Sequence, residues 1–320
     1  MRPIGGFLEL ELGRKRGTFH EAALPLSLGR HCLSFVIQQV RPTKIYVPYY
    51  ACDALLAPIL SNNVPYEFYA IDANLEPCKQ FDLAESEYVV YINYFGVKTA
   101  AARQLATTYR DRLILDNAQA FYVRDPIGLC SFNSARKFFG VPDGAYLYFP
   151  VAEARALERN TEARYEHLVE RLQGNLQSAY RLFVEYERAL RCDVKYVSTL
   201  SEGLLARVDY PLAADKRRAN YELYERAFAS MNRLRIPQHD DVPLCYPLLL
   251  ELEIPKSALH QRDVLVPTLW RETLTRPVAG FEFERWVTRN LLPLPLDQRY
   301  DASDCQRVID EVNRLLAGAV

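Results

Sequence analysis

Short apolar runs alternate with helix-like stretches through the first half of the chain. A continuous apolar run such as 88–92 is typical of a strand that is buried on both faces of a sheet. Similar runs predict strands at 44–47, 66–71, 112–115, 129–132 and 145–149, with helices at 52–60 and 99–109. This alternation predicts an α/β fold in which helices cover a mainly parallel sheet. Ligands of such sheets bind beyond the carboxyl ends of the strands.

The pattern changes after Pro150. Two helices and two short strands interrupted by prolines are predicted beyond it, at 153–190, 215–233, 248–254 and 264–266. Apolar positions recur with helical spacing over 303–316 and predict an amphipathic closing helix. We therefore predict a large α/β domain over residues 1–195 and a smaller C-terminal α+β domain over residues 196–320.

Charge and cysteine content exclude several classes of protein. The 320 residues include 39 lysines and arginines and 40 aspartates and glutamates, so the formal net charge is -1. A domain that binds nucleic acid electrostatically is normally basic, and this balance argues against one. The seven cysteines are odd in number and none has Cys-x-x-Cys spacing, so we expect neither a disulfide scaffold nor a structural zinc site.

Hydropathy and motif searches narrow the possibilities further. No apolar run approaches the about 18 residues of a membrane span, and residues 1–12 carry glycines and acids too early for a signal peptide. We therefore expect a cytoplasmic protein with reduced thiols and neither a membrane nor a nucleic-acid partner. The sequence has no motif of a dinucleotide enzyme, a P-loop NTPase, a zincin or an α/β-hydrolase, and its five histidines show no metal-ligand spacing.

Three short segments together indicate a specific chemistry. Asp116 directly follows a buried strand, where a lone aspartate most often caps a turn or helix. Lys137 follows another strand among small polar and aromatic residues, where a lone lysine is usually solvated. Gly29 opens a predicted helix, a position suited to phosphate binding. Pyridoxal phosphate chemistry needs such a set: a lysine for the Schiff base, a carboxylate for the pyridine nitrogen and donors for the phosphate.

The segments Asp116-Asn-Ala-Gln-Ala and Ser131-Phe-Asn-Ser-Ala-Arg-Lys resemble the cofactor-binding core of DegT/StrS-type aminotransferases. These are pyridoxal-phosphate enzymes of fold type I that mostly act on nucleotide-linked keto sugars. Further segments resemble the family in the same order along nearly the whole chain, at 29–33, 47–51, 94–96 and 292–296. The resemblance implies a fold type I transferase, with a large cofactor-binding domain and a smaller C-terminal domain.

The resemblance also implies roles for the matching residues. Lys137 would form the Schiff base and move protons, Asp116 would pair with the pyridine nitrogen, and Gln119 would lie near the ring hydroxyl. The phosphate would be held by groups at the start of the helix and by one of two serines: Gly29, Arg30, His31, and Ser131 or Ser134.

The chain departs from the family pattern at several positions. The family often stacks an aromatic side chain on the cofactor where this chain has Cys52. Either Tyr49 or Tyr50 replaces that aromatic group, or a smaller group suffices there. The turn after Lys137 and the short interval between Asp116 and Lys137 also differ from the family. These differences indicate a divergent branch.

Substrate-binding candidates follow from their places in the matching segments. They are two aromatic residues after a strand, one tryptophan and two polar residues of a basic helix: Tyr94, Phe95, Trp270, Arg218 and Asn220. Each has an alternative interpretation, because aromatic residues commonly pack in cores and basic helix faces are commonly solvated.

The resemblance implies an aminotransferase that carries an amino group from an amino acid, with glutamate as the expected donor, to a nucleotide-linked keto sugar. Such an enzyme would serve polysaccharide biosynthesis and form a homodimer with shared active sites. One alternative is a sugar dehydratase, although the related dehydratases replace the lysine with histidine and this chain keeps Lys137. The other is a non-catalytic descendant that binds a partner or regulates it.

Overall fold

Seven strands form the central sheet of the molecule. The computed structural model describes residues 10, 12, 18–150 and 157–318. The strands are β1 (Leu24–Leu26), β2 (Lys44–Pro48), β3 (Tyr66–Tyr69), β4 (Glu87–Ile92), β5 (Leu113–Asn117), β6 (Cys130–Asn133) and β7 (Ala145–Tyr148). Their order across the sheet is β1-β7-β6-β5-β4-β2-β3. Strands β2 to β6 are parallel, whereas β7 is antiparallel to β6 and β1 is antiparallel to β7.

Helices cover this sheet and extend the chain beyond it. Those of the first half are α1 (Gly29–Val40), α2 (Asp53–Ser61) and α3 (Thr99–Tyr109). Those of the second half are α4 (Glu166–Leu172), α5 (Leu176–Ala189), α6 (Thr199–Leu205), α7 (Tyr210–Phe228), α8 (Lys256–His260), α9 (Glu282–Asn290) and α10 (Ala302–Gly318). A second, antiparallel sheet pairs β8 (Tyr246–Leu249) with β9 (Leu291–Leu294). The predicted α/β fold class with a mainly parallel sheet is confirmed.

Continuous apolar runs predicted the central strands correctly because a parallel sheet is buried on both faces. All five residues of β5 and the last four of β4 are buried. The helix predicted at 99–109 has the observed bounds of α3. Strand β1 was not predicted, because its three residues include a proline and its pairing with β7 depends on a segment distant in sequence.

Predictions for the second half were less accurate. The single helix predicted at 153–190 is wrong over the described residues, because residues 157–165 are not helical and Gly174 separates α4 from α5. Gly174 has φ 87°, a conformation that glycine adopts easily and that ends a helix. Residues 153–156 of that prediction lie outside the described residues, as do most of residues 1–12, on which the signal-peptide expectation rests.

The strand predicted at 248–254 has the wrong bounds, and the strand predicted at 264–266 is absent. The first is β8, which begins earlier and ends at Leu249, and residues 264–266 form no strand. Prolines at positions 255 and 267 follow these segments and limit ladder pairing there. Within the described ranges, no helix is both long and apolar enough to cross a membrane.

Candidate active site at the carboxyl ends of the central strands

The sheet register places the predicted chemical groups at one edge. Asp116 on β5 is paired with Ile92 on β4 and with Phe132 on β6. These three strands are parallel, so their carboxyl ends meet at the same edge of the sheet. The turn that follows β6 carries Lys137 to this edge.

A cavity of about 750 Å³ opens at this edge. Its wall includes seven of the residues that the sequence singled out: Gly29, Arg30, Asp116, Gln119, Ser134, Lys137 and Trp270. They come from α1, β5, the turns after β5 and β6, and the segment before a short 3₁₀ helix at Arg271–Leu274. Residues far apart in sequence therefore form one concave site, which is the usual form of a small-molecule site.

Asp116 is the acid of this site. Its side chain is nearly buried, with 8% of the residue exposed, and Oδ1 accepts a hydrogen bond from the Ala118 N–H at 2.7 Å. Oδ2 has no hydrogen-bond partner in residues 18–150 or 157–318. Burial raises the pKa of this carboxyl above its ordinary value, and the nearby Lys137 charge and the Ala118 N–H oppose that rise. The arrangement leaves one oxygen available to a donor or cation in the cavity.

Lys137 brings an amine to this cavity. It ends the short 3₁₀ turn Ala135–Lys137, and its exposed side chain lies on the cavity wall. Its Nζ makes neither a hydrogen bond nor an ion pair with any residue the structure describes. The Lys137 charge also lowers the pKa of the Cys52 thiol, which burial raises more strongly. The amine, the carboxylate of Asp116 and this thiol therefore share one electrostatic environment.

The first turn of α1 supplies a place for an anion. Leu28 precedes the helix and provides no side-chain cap, and the first helical hydrogen bond runs from the His31 N–H to the Leu28 carbonyl. The N–H groups of Gly29 and Arg30 thus have no partner among the described residues. The hydroxyl of Ser134 also has no hydrogen-bond partner among the described residues, and Ser134 lines the same cavity. Free N–H groups at a helix start attract phosphate.

Gln119 and a tight turn brace the side of the cavity next to β5. The Gln119 Oε1 accepts a hydrogen bond from the Phe95 N–H at 2.7 Å. Gly96 follows with φ 72°, and a Cβ at this position would lie 2.3 Å from the Gln119 carbonyl oxygen. Only glycine fits this close approach without displacing the backbone. The Tyr94–Gly96 turn therefore fixes Gln119 at the cavity wall.

Three residues predicted at the cofactor lie off this cavity. Phe132 of β6 lines the cavity, and its neighbour Ser131 points to the opposite face because side chains alternate along a strand. The Ser131 hydroxyl therefore donates to the Asp125 carbonyl at 3.2 Å instead. His31 Nε2 lies 3.1 Å from the Arg191 carbonyl oxygen, and burial lowers the pKa of His31 to about 4. Tyr50 is fully buried and packs edge-on against Trp270 at 4.4 Å. The structure thus favours Ser134 over Ser131 for a ligand in the cavity.

Four of the five substrate-binding candidates have other partners. The Tyr94 hydroxyl donates to the Tyr50 carbonyl at 3.0 Å, and Phe95 is buried behind Trp270 with ring centroids 6.2 Å apart. The Arg218 side chain donates to the Asp240 carbonyl, whereas Asn220 donates to carbonyls of the chain before α10. Trp270 alone of the five lies on the cavity wall. The other four lie off this cavity: Tyr94 and Phe95 are buried in the core, and Arg218 and Asn220 donate to backbone carbonyls.

The cavity also holds charged residues that the sequence did not single out for it. Arg136 forms an ion pair with Glu187 of α5, and both line the wall. Asp53 is paired with Arg276 at 2.6 Å. The wall further includes Glu272. Nothing in the local pattern distinguishes these carboxylates, because each reaches the cavity only through long-range packing.

Cys52 lies where the resemblance implies a stacking aromatic. It is half-buried immediately before α2, and burial is the main reason that the pKa of its thiol is raised. The charges of Asp116 and Glu272 raise it further, so three charged side chains surround this thiol. The cavity therefore has a small, neutral sulfur group next to Asp116 and Lys137.

Arg217 does not line the cavity but contacts backbone groups next to it. It is buried on α7, and its guanidinium donates to the carbonyls of Phe138 and Leu244 at 3.2 Å each. It also lies 4.6 Å from the centroid of the Phe138 ring. Burial lowers its pKa to about 10. Arg217 therefore positions the turn that carries Lys137.

No protein-family model and no curated protein sequence matches the chain. Solved structures do match it. TlmJ, an aminotransferase from Streptoalloteichus hindustanus, has a TM-score of 0.66 and 18% identity, over 93% of this chain and 86% of that chain. The chain has the fold of this aminotransferase.

Two further structures agree. Spr1654 from Streptococcus pneumoniae, a proposed sugar aminotransferase solved in its PMP form, has a TM-score of 0.66 and 12% identity, over 93% of this chain and 88% of that chain. A DegT DnrJ EryC1 StrS aminotransferase from Brucella abortus has a TM-score of 0.63 and 12% identity, over 91% and 85% of the two chains. The fold type I architecture expected from the sequence is thereby confirmed.

Proposed function

We propose that the protein is a pyridoxal-phosphate-dependent aminotransferase that moves an amino group from an amino acid to a keto sugar. The observation that carries this proposal is that Asp116, Lys137 and the start of α1 converge on one cavity. Structures of similar fold support it, since the pneumococcal protein was solved in both PMP and PLP forms. The proposal includes the cofactor, because each part of pyridoxal phosphate finds a matching group.

The unpartnered groups of the cavity fit this cofactor. Asp116 Oδ2 is available to the pyridine N–H, and the N–H groups of Gly29 and Arg30 with the Ser134 hydroxyl are available to the phosphate. Gln119 presents its amide beside them. Pyridoxal phosphate bound there would supply a ring that withdraws electrons from the substrate carbon.

Each residue then has a defined task. Asp116 would keep a proton on the ring nitrogen, because a cation or donor at Oδ2 would stabilise its buried carboxylate. Lys137 Nζ would hold the cofactor covalently, and the same amine would move a proton on the substrate carbon. Trp270 and Cys52 line the wall around these groups. Cys52 would take the place beside the ring that an aromatic side chain occupies in related sequences.

The substrate anions must find cations at the wall. Within the described residues, the cations that line the cavity are Arg30, Arg136 and Lys137. Arg136, held by Glu187, could receive the carboxylate of an amino-acid donor such as glutamate. With Lys137 engaged by the cofactor and Arg136 by the donor, only the Arg30 side chain would remain for the diphosphate of a nucleotide-linked acceptor, and a further cation would have to come from outside this cavity.

A homodimer would provide such a cation and belongs to the proposal. The helical hairpin α4–α5 adjoins the cavity through Glu187 and carries a row of exposed large apolar side chains: Tyr165, Val169, Leu172, Leu176, Tyr180 and Phe183. Leu172 is 88% exposed and Tyr180 is 67% exposed. Exposed apolar groups of this size indicate an interaction surface. A second copy is the expected occupant because the charges along the hairpin nearly balance, with four glutamates and three arginines over residues 166–189.

Spectroscopy tests the activity. Cofactor-loaded protein should show a visible absorption band that glutamate bleaches, and Lys137→Ala should abolish both the bleaching and amino transfer. Full transaminase activity in Lys137→Ala would contradict the proposal. Failure of the wild type to bind the cofactor would favour the partner-binding alternative.

Sedimentation tests the assembly. Wild-type protein should sediment as a dimer, and the double substitution Leu172→Glu with Tyr180→Glu should yield monomers with reduced activity. A wild-type protein that is monomeric and fully active would rule out the shared site.

A further inference from the structure

The cavity has one carboxylate that neither the cofactor groups nor another side chain accounts for. Glu272 lies in the short 3₁₀ helix Arg271–Leu274 and is half-buried on the wall. Its carboxylate makes no hydrogen bond or ion pair with any residue in the described ranges. The two other acids outside the cofactor set, Asp53 and Glu187, are each paired with an arginine. Glu272 is therefore the remaining unpaired acid.

The surroundings of Glu272 are apolar. The segment that leads to it contributes Leu265, Pro267, Leu269 and Trp270 to the same wall. Trp270 has φ 49°, in the left-handed region, which an L-residue adopts at a cost. That turn fixes the point at which the wall changes from apolar side chains to the carboxylate of Glu272.

The Glu272 carboxylate also lies within electrostatic range of the reactive groups. Its charge acts on Cys52, the same thiol that senses Lys137 and Asp116. Glu272 and Lys137 line the same cavity, so a ligand that extends across the cavity from Lys137 reaches the wall that carries Glu272. A half-buried carboxylate gains most from a charged or hydroxyl donor and repels phosphate or carboxylate groups.

We propose that Glu272 forms a substrate subsite that binds a hydroxyl or ammonium group of a sugar-like ring lying on the apolar wall. This inference rests on the proposed function, because it places the ring of the acceptor or of its amino product in that cavity. The subsite selects against substrates that present an anion at this position. Glu272 would thus determine specificity without taking part in proton transfer.

A matched pair of sugar analogues tests the subsite. 1-Deoxynojirimycin carries a ring ammonium that cannot undergo transamination, and 1,5-anhydroglucitol has the same hydroxyls with a neutral ring oxygen. Calorimetric titration of the cofactor-loaded wild type should show binding of both compounds and little binding of glucose 6-phosphate. An ammonium contact predicts at least tenfold tighter binding of 1-deoxynojirimycin.

Substitution of Glu272 distinguishes a contact with the ligand's ammonium group from a contact with one of its hydroxyl groups. If Glu272 receives the ammonium, Glu272→Gln removes the preference for 1-deoxynojirimycin and weakens its binding tenfold or more. If Glu272 receives a hydroxyl, Glu272→Leu weakens the binding of both compounds by similar factors. Glu222→Gln, an exposed position on α7 away from the cavity, should change neither affinity.

The outcomes that would overturn the subsite are distinct from those that test the activity. Unchanged affinities in both Glu272 variants, tightest binding of glucose 6-phosphate, or no binding to the wild type would each refute it. Bleaching of the wild type by glutamate, measured in the same preparation, reports the aminotransferase activity separately. Loss of bleaching in the wild type would refute the proposed function. The calorimetric comparison of wild type and variants would still show whether Glu272 binds the sugar analogues.

Discussion

At the scale of single residues, the cavity stands out because several of its polar groups have no protein partner. Asp116 Oδ2, Lys137 Nζ and the Ser134 hydroxyl are all unpartnered within residues 18–150 and 157–318. Polar groups in protein interiors are normally hydrogen-bonded, and the exceptions often mark a ligand site. A ligand with a cationic ring N–H, a carbonyl carbon and an anionic group would satisfy all three.

The two serines of the β6 segment provide a matched test of phosphate binding. Ser134→Ala should weaken binding of pyridoxal phosphate about tenfold or more, because a hydrogen bond to a charged group contributes about 1.5–3 kcal/mol. Ser131→Ala should leave the affinity within about twofold, because its hydroxyl bonds to the Asp125 carbonyl instead. Fluorescence titration with the cofactor measures both. Equal losses in the two variants would contradict the assignment.

At the scale of elements, the site depends on how α7 and the chain before α10 hold the turn after β6. The Phe138 carbonyl accepts hydrogen bonds from Arg217 at 3.2 Å and from Gln298 at 2.9 Å. These contacts join the C-terminal half of the chain to the turn that carries Lys137. The position of the amine is therefore set by residues about eighty and one hundred and sixty positions away.

Removing this brace should destabilise the protein. Arg217→Met leaves the carbonyls of Phe138 and Leu244 short of a buried donor, at a cost of about 3 kcal/mol. Arg218→Met is the matched control, because its exposed side chain should contribute within about 0.5 kcal/mol. Urea unfolding measures both variants. A similar stability for Arg217→Met and the wild type would show that the brace is unimportant.

The turn between β4 and α3 can be tested in the same way. Gly96→Ala forces a Cβ against the Gln119 carbonyl at φ 72°, so we expect a loss of at least about 2 kcal/mol and weaker cofactor binding. At Gly140 an added Cβ meets nothing within 4 Å, and Gly140→Ala should be nearly neutral. Thermal unfolding and cofactor titration distinguish the two. A fully stable Gly96→Ala protein would contradict the strained geometry.

At the scale of the whole molecule, burial of two histidines links stability to pH. Burial lowers the pKa of His20 to about 3 and that of His31 to about 4. Both histidines have ordinary values of 6.5 once the chain unfolds. The unfolded chain therefore binds more protons than the native protein below that pH, and acid favours unfolding.

The free energy of unfolding should therefore be fully retained above about pH 6.5 and should fall as the pH drops toward 4. Each histidine contributes a slope of about 1.4 kcal/mol per pH unit in that window. Urea unfolding at pH 7.5, 6 and 5 measures the slope. The double variant His20→Gln with His31→Gln should flatten it, whereas an unchanged slope would exclude these two groups as its source.

The sequence by itself determined six of the seven strands of the central sheet and the core of the candidate site. Continuous apolar runs specify buried parallel strands locally, so β2, β4 and β5 were predicted closely. Asp116 lies near the carboxyl end of β5 and Lys137 lies in the turn after β6, and parallel strands bring their carboxyl ends to one edge. Their presence on one cavity therefore followed from the sequence pattern.

Only the tertiary structure decided which neighbouring polar residues belong to the cavity. Ser134 lies on it, whereas the Ser131 hydroxyl and His31 bond to carbonyls elsewhere, and Asn220 bonds to the chain before α10. Glu272 reached the wall without any local signal. The physical reason is that a polar side chain takes its partner from segments distant in sequence. Local apolar periodicity fixes which face is buried, and the packed structure alone supplies the donor or acceptor.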